Sequence, residues 1–232
     1  MKQSKKAFMG ISQIIGSFTK LGFLLIGTFT LLSCSKNLPD RIVAYSNEFE
    51  TGNTKDFKIY GAAGIEDSLK ITDFNKTKIF GRFSGNAVVF SYNQLPEHNV
   101  IKIEFDLYMH DDWKGNFIVP GTTLPDLWQL KLDNNPLLIT NFSNGAQDQL
   151  FPNSYTPTLT NNKPFSNSWG VFPGICSKAG QSNGTSFYKI EYITSHSGPI
   201  ELAFQDVSFS STSLCIKSWS IDNLKLTTML KQ

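Results

Sequence analysis

Val100-Ile101-Lys102-Ile103-Glu104-Phe105-Asp106-Leu107-Tyr108-Met109 decides the fold. Ile101, Ile103, Phe105, Leu107 and Met109 fall on every second place, with Lys102, Glu104, Asp106 and Tyr108 between them, which is the period of a strand buried on one face. The stretch then breaks into His110-Asp111-Asp112-Trp113-Lys114-Gly115-Asn116, a loop crowded with carboxylates around one tryptophan.

The same short period recurs on both sides. Upstream, strands are predicted at Ile42 to Tyr45, Lys58 to Tyr60, Leu69 to Thr72, Lys78 to Phe83 and Asn86 to Tyr92, with Glu48 to Gly52 as a turn and Gly61, Gly64, Gly81 and Gly85 as punctuation. Downstream, Trp128, Leu130 and Leu132 alternate with polar residues, Asp133 to Pro136 turn, and Leu137 to Phe142 pair back as a hairpin. The period resumes at Tyr188-Ile190-Tyr192 and at Ile200-Leu202-Phe204, and a last strand runs from Cys215 to Thr228. Between Ser143 and Ser186 lies a polar segment with little periodicity, a length that is usually functional or disordered. No convincing amphipathic helix and about ten short strands argue for an all-β, two-sheet jelly-roll sandwich.

The N-terminus has a different character. Lys2, Lys5, Lys6 and Lys20 precede an apolar run from Leu21 to Ser33, too short to span a bilayer, which reads as a secretory signal over residues 1–33. Leu31-Leu32-Ser33-Cys34 resembles the bacterial lipoprotein signal, which implies lipidation at Cys34, a lipidated tether over 34–40 and a sandwich domain over 41–232. Several acyl chains there make a lasting membrane anchor. Ser35 stands where an aspartate would signal inner-membrane retention, so the resemblance points to the outer membrane of a Gram-negative bacterium, periplasm-facing or on the cell surface. Without the first 33 residues the chain has 17 basic against 19 acidic residues, and the basic balance that would suggest nucleic acid disappears. Cys176 and Cys215 are free to pair in an oxidising compartment, with two buried thiols as the alternative.

In the final strand, Trp219 and Ile221 have one parity and Leu224 and Leu226 the other. Keeping all four in the core requires a bulge near Asp222-Asn223. Trp128 and Trp219 are in phase with core residues, whereas Trp113 and Trp169 lie in loops and are the better candidates for stacking on a sugar, with Tyr155 third. Asp111, Asp112, Asn116 and Asp126 suit a hard cation or hydrogen bonds to sugar hydroxyls, or form a plain polar turn. No catalytic residue is assigned: His98, His110 and His196 lack metal-ligand spacing, and there is no nucleophile elbow.

Phe105-Asp106-Leu107-Tyr108, Asp112-Trp113-Lys114-Gly115-Asn116, Pro125-Asp126-Leu127-Trp128, Thr140-Asn141-Phe142-Ser143-Asn144 and Ser218-Trp219-Ser220-Ile221-Asp222-Asn223-Leu224-Lys225-Leu226 together resemble a group of secreted bacterial proteins of jelly-roll or concanavalin-like form. The likeness runs from about Val88 to Leu226, with Ser220 in place of the group's usual glycine. The closing strand also resembles the end of jelly-roll carbohydrate-binding modules, where an early Phe-Glu and a late Ile-Asp meet at a structural calcium. That implies calcium held by Glu50 and Asp222 with backbone carbonyls. The expectation is a non-catalytic glycan binder using Asp112, Trp113, Asn116, Asp126, Tyr155 and Trp169. A structural or adhesive surface protein contacting other proteins is the alternative. A polysaccharide-acting enzyme is the third, and needs two carboxylates, or a Tyr and His pair, converging in one cleft.

Overall fold

Among the residues that the computed structural model describes, 40–62, 64–66, 70–207 and 212–231, there are thirteen strands and no helix. The signal over 1–33, Cys34 and the tether up to residue 39 lie outside the described residues. The first six strands are β1 (Asp40–Asn47), β2 (Phe57–Gly61), β3 (Gly64–Glu66), β4 (Ile71–Phe74), β5 (Thr77–Phe83) and β6 (Ala87–Tyr92). The rest are β7 (Val100–Asp111), β8 (Leu127–Leu132), β9 (Asn135–Thr140), β10 (Gly170–Phe172), β11 (Thr185–Ser195), β12 (Ile200–Val207) and β13 (Lys217–Leu230).

They form two antiparallel sheets. Sheet A has the order β10-β11-β7-β13-β5-β4 with β1 also on β13, and sheet B the order β3-β2-β6-β12-β8-β9. The chain alternates between layers, from β6 to β7 to β8 and from β11 to β12 to β13, which is the jelly-roll habit expected from the alternating pattern. Every expected strand has its counterpart. The two that sequence reading missed, β3 and β10, have three residues each, too few to show a period.

The core is the sum of the alternating positions. Ile101, Ile103, Phe105, Leu107 and Met109 of β7 face Val88, Phe90, Leu130, Leu202 and Phe204 of sheet B, all buried. Each such side chain contributes about 1.5–3 kcal/mol on leaving water. Asp133 and Asn134 both have positive φ, which closes the β8–β9 hairpin with the twist that antiparallel strands favour.

β13 carries the predicted bulge. Its register against β7 shifts between Asp222 and Lys225, and Asn223 has φ +52°. Trp219, Ile221, Leu224 and Leu226 consequently all lie in the core. The bulge falls where the other neighbour of β13 changes, from β5 at residues 219–221 to β1 at residues 224–230.

The polar segment after β9 is held by buried amides. Gln149 Oε1 accepts from Ser143 N at 3.1 Å and Phe165 N at 3.2 Å, while its Nε2 donates to Phe151 O at 3.0 Å. Asn144 Nδ2 reaches Met109 O at 2.7 Å and Asp111 O at 3.1 Å. Cys176 and Cys215 are joined in a disulfide, which ties this segment to the approach to β13.

Candidate functional site

Most of the loop after β7 is structural, and two of the expected ligand contacts, Trp113 and Asp126, are buried. Trp113 is 1% exposed: its indole N–H donates to Ser218 O at 2.9 Å and the Lys217 ammonium lies 5.2 Å from its ring centre, so no face is open to a sugar. Asp126 is buried in an ion pair with Lys217. Asn116 spends its amide on Thr160 O, Asn161 Oδ1 and, as acceptor, Asn141 Nδ2. Asp112 is half-buried between Lys114 at 3.3 Å and Lys178 at 3.6 Å. Asp111 is fully buried as well: its Oδ1 accepts from the backbone N–H of Ile175, Cys176 and Lys178, and its Oδ2 lies 3.7 Å from Arg82 Nη2. The signature motifs therefore hold the sandwich together. Buried carboxylates at Asp111 and Asp126 are also not placed to flank a substrate.

Two expected aromatics are separated. The Tyr155 amide bonds to Ile139 O at the edge of sheet B, whereas the Trp169 amide bonds to Phe187 O at the edge of sheet A. Tyr155 is half-buried, but Trp169 is 70% exposed and stands over solvent.

Trp169 rims a groove of about 440 Å³ on the outer face of sheet A. Strand register builds that face in rows. One row runs Ser46, Lys225, Glu104, Glu191 across β1, β13, β7 and β11, and the next runs Asp222, Asp106, Lys189. These are the polar members of the alternating strands, and that alternation is the signal in the sequence that marks them. Glu48, Asn223, Phe105 and Ile190 also line the groove, and Asp222 lies beside it. The charges are paired. Lys225 Nζ is 3.2 Å from Glu104 Oε2, Lys189 Nζ is 3.2 Å from Asp106 Oδ1, and Asn223 Nδ2 donates to Asp106 Oδ2 at 2.8 Å. Lys189 also lies 5.7 Å from the Trp169 ring centre, a cation–π distance that holds the exposed indole.

Beside the groove, acids accumulate around the bulge. Burial pushes the Asp222 carboxyl up to about 7, and the charges of Asp106, Glu50 and Glu48 add to the rise. Glu50 goes the other way: its carboxylate accepts from Thr77 Oγ1 and from Lys78 N at 3.0 Å, which holds its pKa below the usual value. A buried acid among like charges favours its protonated form, and oxygen-only donors are of the type that a hard cation takes. Among the described residues, no three His, Cys, Asp or Glu side chains converge on one point. Glu50 and Asp222 would therefore need backbone carbonyls and water to complete a calcium shell.

Further along the same face, Tyr108 and His110 do lie side by side, their rings parallel with centres 6.1 Å apart. Phe74 and Phe187 pack against Tyr108, Phe74 also against His110, and the imidazole has no exposure. Burial drives His110 down to about 3, with the Arg82 charge adding, so it is a neutral structural residue hydrogen-bonded to Thr185 and Ser220.

No family model and no curated protein matches this chain. Among solved structures it is similar to a family 35 carbohydrate-binding module from Clostridium thermocellum, at 11% identity over 82% of this chain and 97% of that one, TM-score 0.33. It is also similar to a family GH115 4-O-methyl-alpha-glucuronidase with specificity for decorated arabinogalactans, at 15% identity over 81% of this chain and 18% of that one, TM-score 0.33. A third is a cycloisomaltooligosaccharide glucanotransferase of Paenibacillus, at 11% identity over 82% of this chain and 18% of that one, TM-score 0.28.

Proposed function

We propose that this chain is a non-catalytic saccharide-binding β-sandwich, anchored through lipid on Cys34 in the outer membrane of a Gram-negative bacterium. The observation that carries the reading is Trp169, 70% exposed at the rim of a groove floored by Asp, Glu, Lys and Asn side chains. An indole offers a flat apolar face to the C–H side of a pyranose, and carboxylates, ammonium groups and an amide offer hydrogen bonds to its hydroxyls. Calcium on Glu50, Asp222 and neighbouring carbonyls would stiffen the turn that forms one wall. A glycan array probed with residues 35–232 in calcium-containing buffer tests the function. Selective binding supports it, and an array without signal removes it. Calorimetric titration with calcium tests the metal separately, and no heat with no rise in melting temperature would sink it.

Phe117 and Ile118, adjacent and about two-fifths exposed, favour contact with another protein as the second reading. In that case pull-down of a surface protein, abolished by Phe117→Ser with Ile118→Ser, replaces the array signal.

A further inference from the structure

A second cavity, of about 460 Å³, opens between the two sheets at the edge formed by β1. Its lining includes Tyr45 of β1 and Tyr92 of β6, whose rings meet edge-on with centres 5.1 Å apart. Both rings are half-buried against the core and line the cavity. Polar groups surround them. Tyr45 Oη donates to Asp56 Oδ2 at 3.3 Å and accepts from Asn47 Nδ2 at 3.2 Å, and exposed Asn53 and Gln94 add amides. This is the same combination as in the Trp169 groove: aromatic surface fixed in place with hydrogen-bonding side chains beside it.

The two cavities are not independent. Ser46 and Glu48 line both. Among the described residues β1 pairs only with β13, so no further described strand lies across the path from the outer face of sheet A to the mouth between the sheets. We propose that the two cavities form one saccharide track, with Trp169 at one end and the Tyr45–Tyr92 pair at the other, that takes an internal stretch of a polysaccharide. The track crosses β11, β7, β13 and β1 before turning over the edge. Adjacent strands lie about 4.8 Å apart, close to the advance of one pyranose along a chain, so the three spacings from β11 to β1 take roughly three sugar units and the turn over the edge about one more. The proposal rests on the saccharide-binding reading and goes beyond it in naming a polymer segment and a second contact site.

The test uses the full chain purified in mild detergent and length ladders, from disaccharide to hexasaccharide, of β-1,4-linked glucose, mannose, xylose and N-acetylglucosamine. For the ladder that binds, affinity is expected to rise at least tenfold from disaccharide to tetrasaccharide and then level off. Gln94→Ala and Tyr92→Ala should each erase most of that rise. Gln94 is exposed, so its variant keeps the test valid if Tyr92→Ala fails to fold. Affinity already maximal at the disaccharide, or a Gln94 variant unchanged on the tetrasaccharide, overturns the track and leaves the Trp169 site standing. No binding on any ladder overturns both readings.

Discussion

Asn223 donates its side-chain N–H to Asp106 Oδ2 at 2.8 Å, joining the bulge of β13 to the floor of the groove. Asn223 holds φ +52°, a left-handed conformation that costs a residue without a local polar side chain about 1–2 kcal/mol. Asn223→Gly removes the bond and keeps the conformation available, whereas Asn223→Ala removes the bond and strains the backbone. The alanine variant should be less stable than the glycine variant by about 1 kcal/mol in urea unfolding. Equal stability contradicts this account of the bulge.

Asp126 and Lys217 form an ion pair inside the sandwich, with Lys217 wholly buried and its ammonium against Trp113. Removing Asp126 takes from the buried Lys217 ammonium the carboxylate that it pairs with. Asp126→Ala should lower stability by about 3–5 kcal/mol, and adding Lys217→Met should recover much of the loss. A double variant as unstable as the single one would contradict the buried ammonium as the source of the loss.

The disulfide between Cys176 and Cys215 closes a loop across a sequence separation of 39. In the chain-entropy model, replacing both cysteines by serine lowers stability by about 4 kcal/mol. The three backbone bonds from the 175–178 turn to Asp111 remain in that variant, so the native fold should persist at 25 °C with a lower melting temperature. An unchanged denaturation midpoint would argue against the bond forming in solution.

His110 makes stability depend on acid. Burial holds its pKa at about 3, below the unfolded value of 6.5, so the unfolded chain binds the extra proton first. The stabilisation is fully present above pH 6.5 and is lost as pH falls from there towards 3, by roughly 5 kcal/mol over the whole span. Arg82 and the hydroxyls of Thr185 and Ser220 face the imidazole. Replacing His110 by Gln, which does not titrate, should flatten the fall in melting temperature between pH 6 and pH 4. The same slope in both proteins contradicts the assignment.

The layers of the fold were legible because Ile101 to Met109, Trp128 to Leu132 and Ile200 to Phe204 alternate without interruption. Even the bulge at Asp222-Asn223 followed from the parity change between Ile221 and Leu224. The site was much less legible. Trp113 sits in a polar loop, yet that loop turns back under β13, a tertiary event that composition does not record. Asp111 and Asp126 look like surface acids but find three backbone N–H groups and a buried lysine, partners far away in sequence. Trp169 stays outside, in keeping with its place in a polar loop. Its neighbours Glu104, Asp106 and Lys189 were visible as the polar half of two strands, but only register brings them into one groove.

Trp169 makes the central claim measurable by its own emission. Trp113, Trp128 and Trp219 are at most 1% exposed, whereas Trp169 is 70% exposed, so collisional quenching by acrylamide reads Trp169 almost alone. A polysaccharide that binds this protein should shift the emission to the blue and protect it from acrylamide, and both effects should vanish in Trp169→Phe. Binding that leaves acrylamide quenching unchanged would contradict the placement of the saccharide on Trp169.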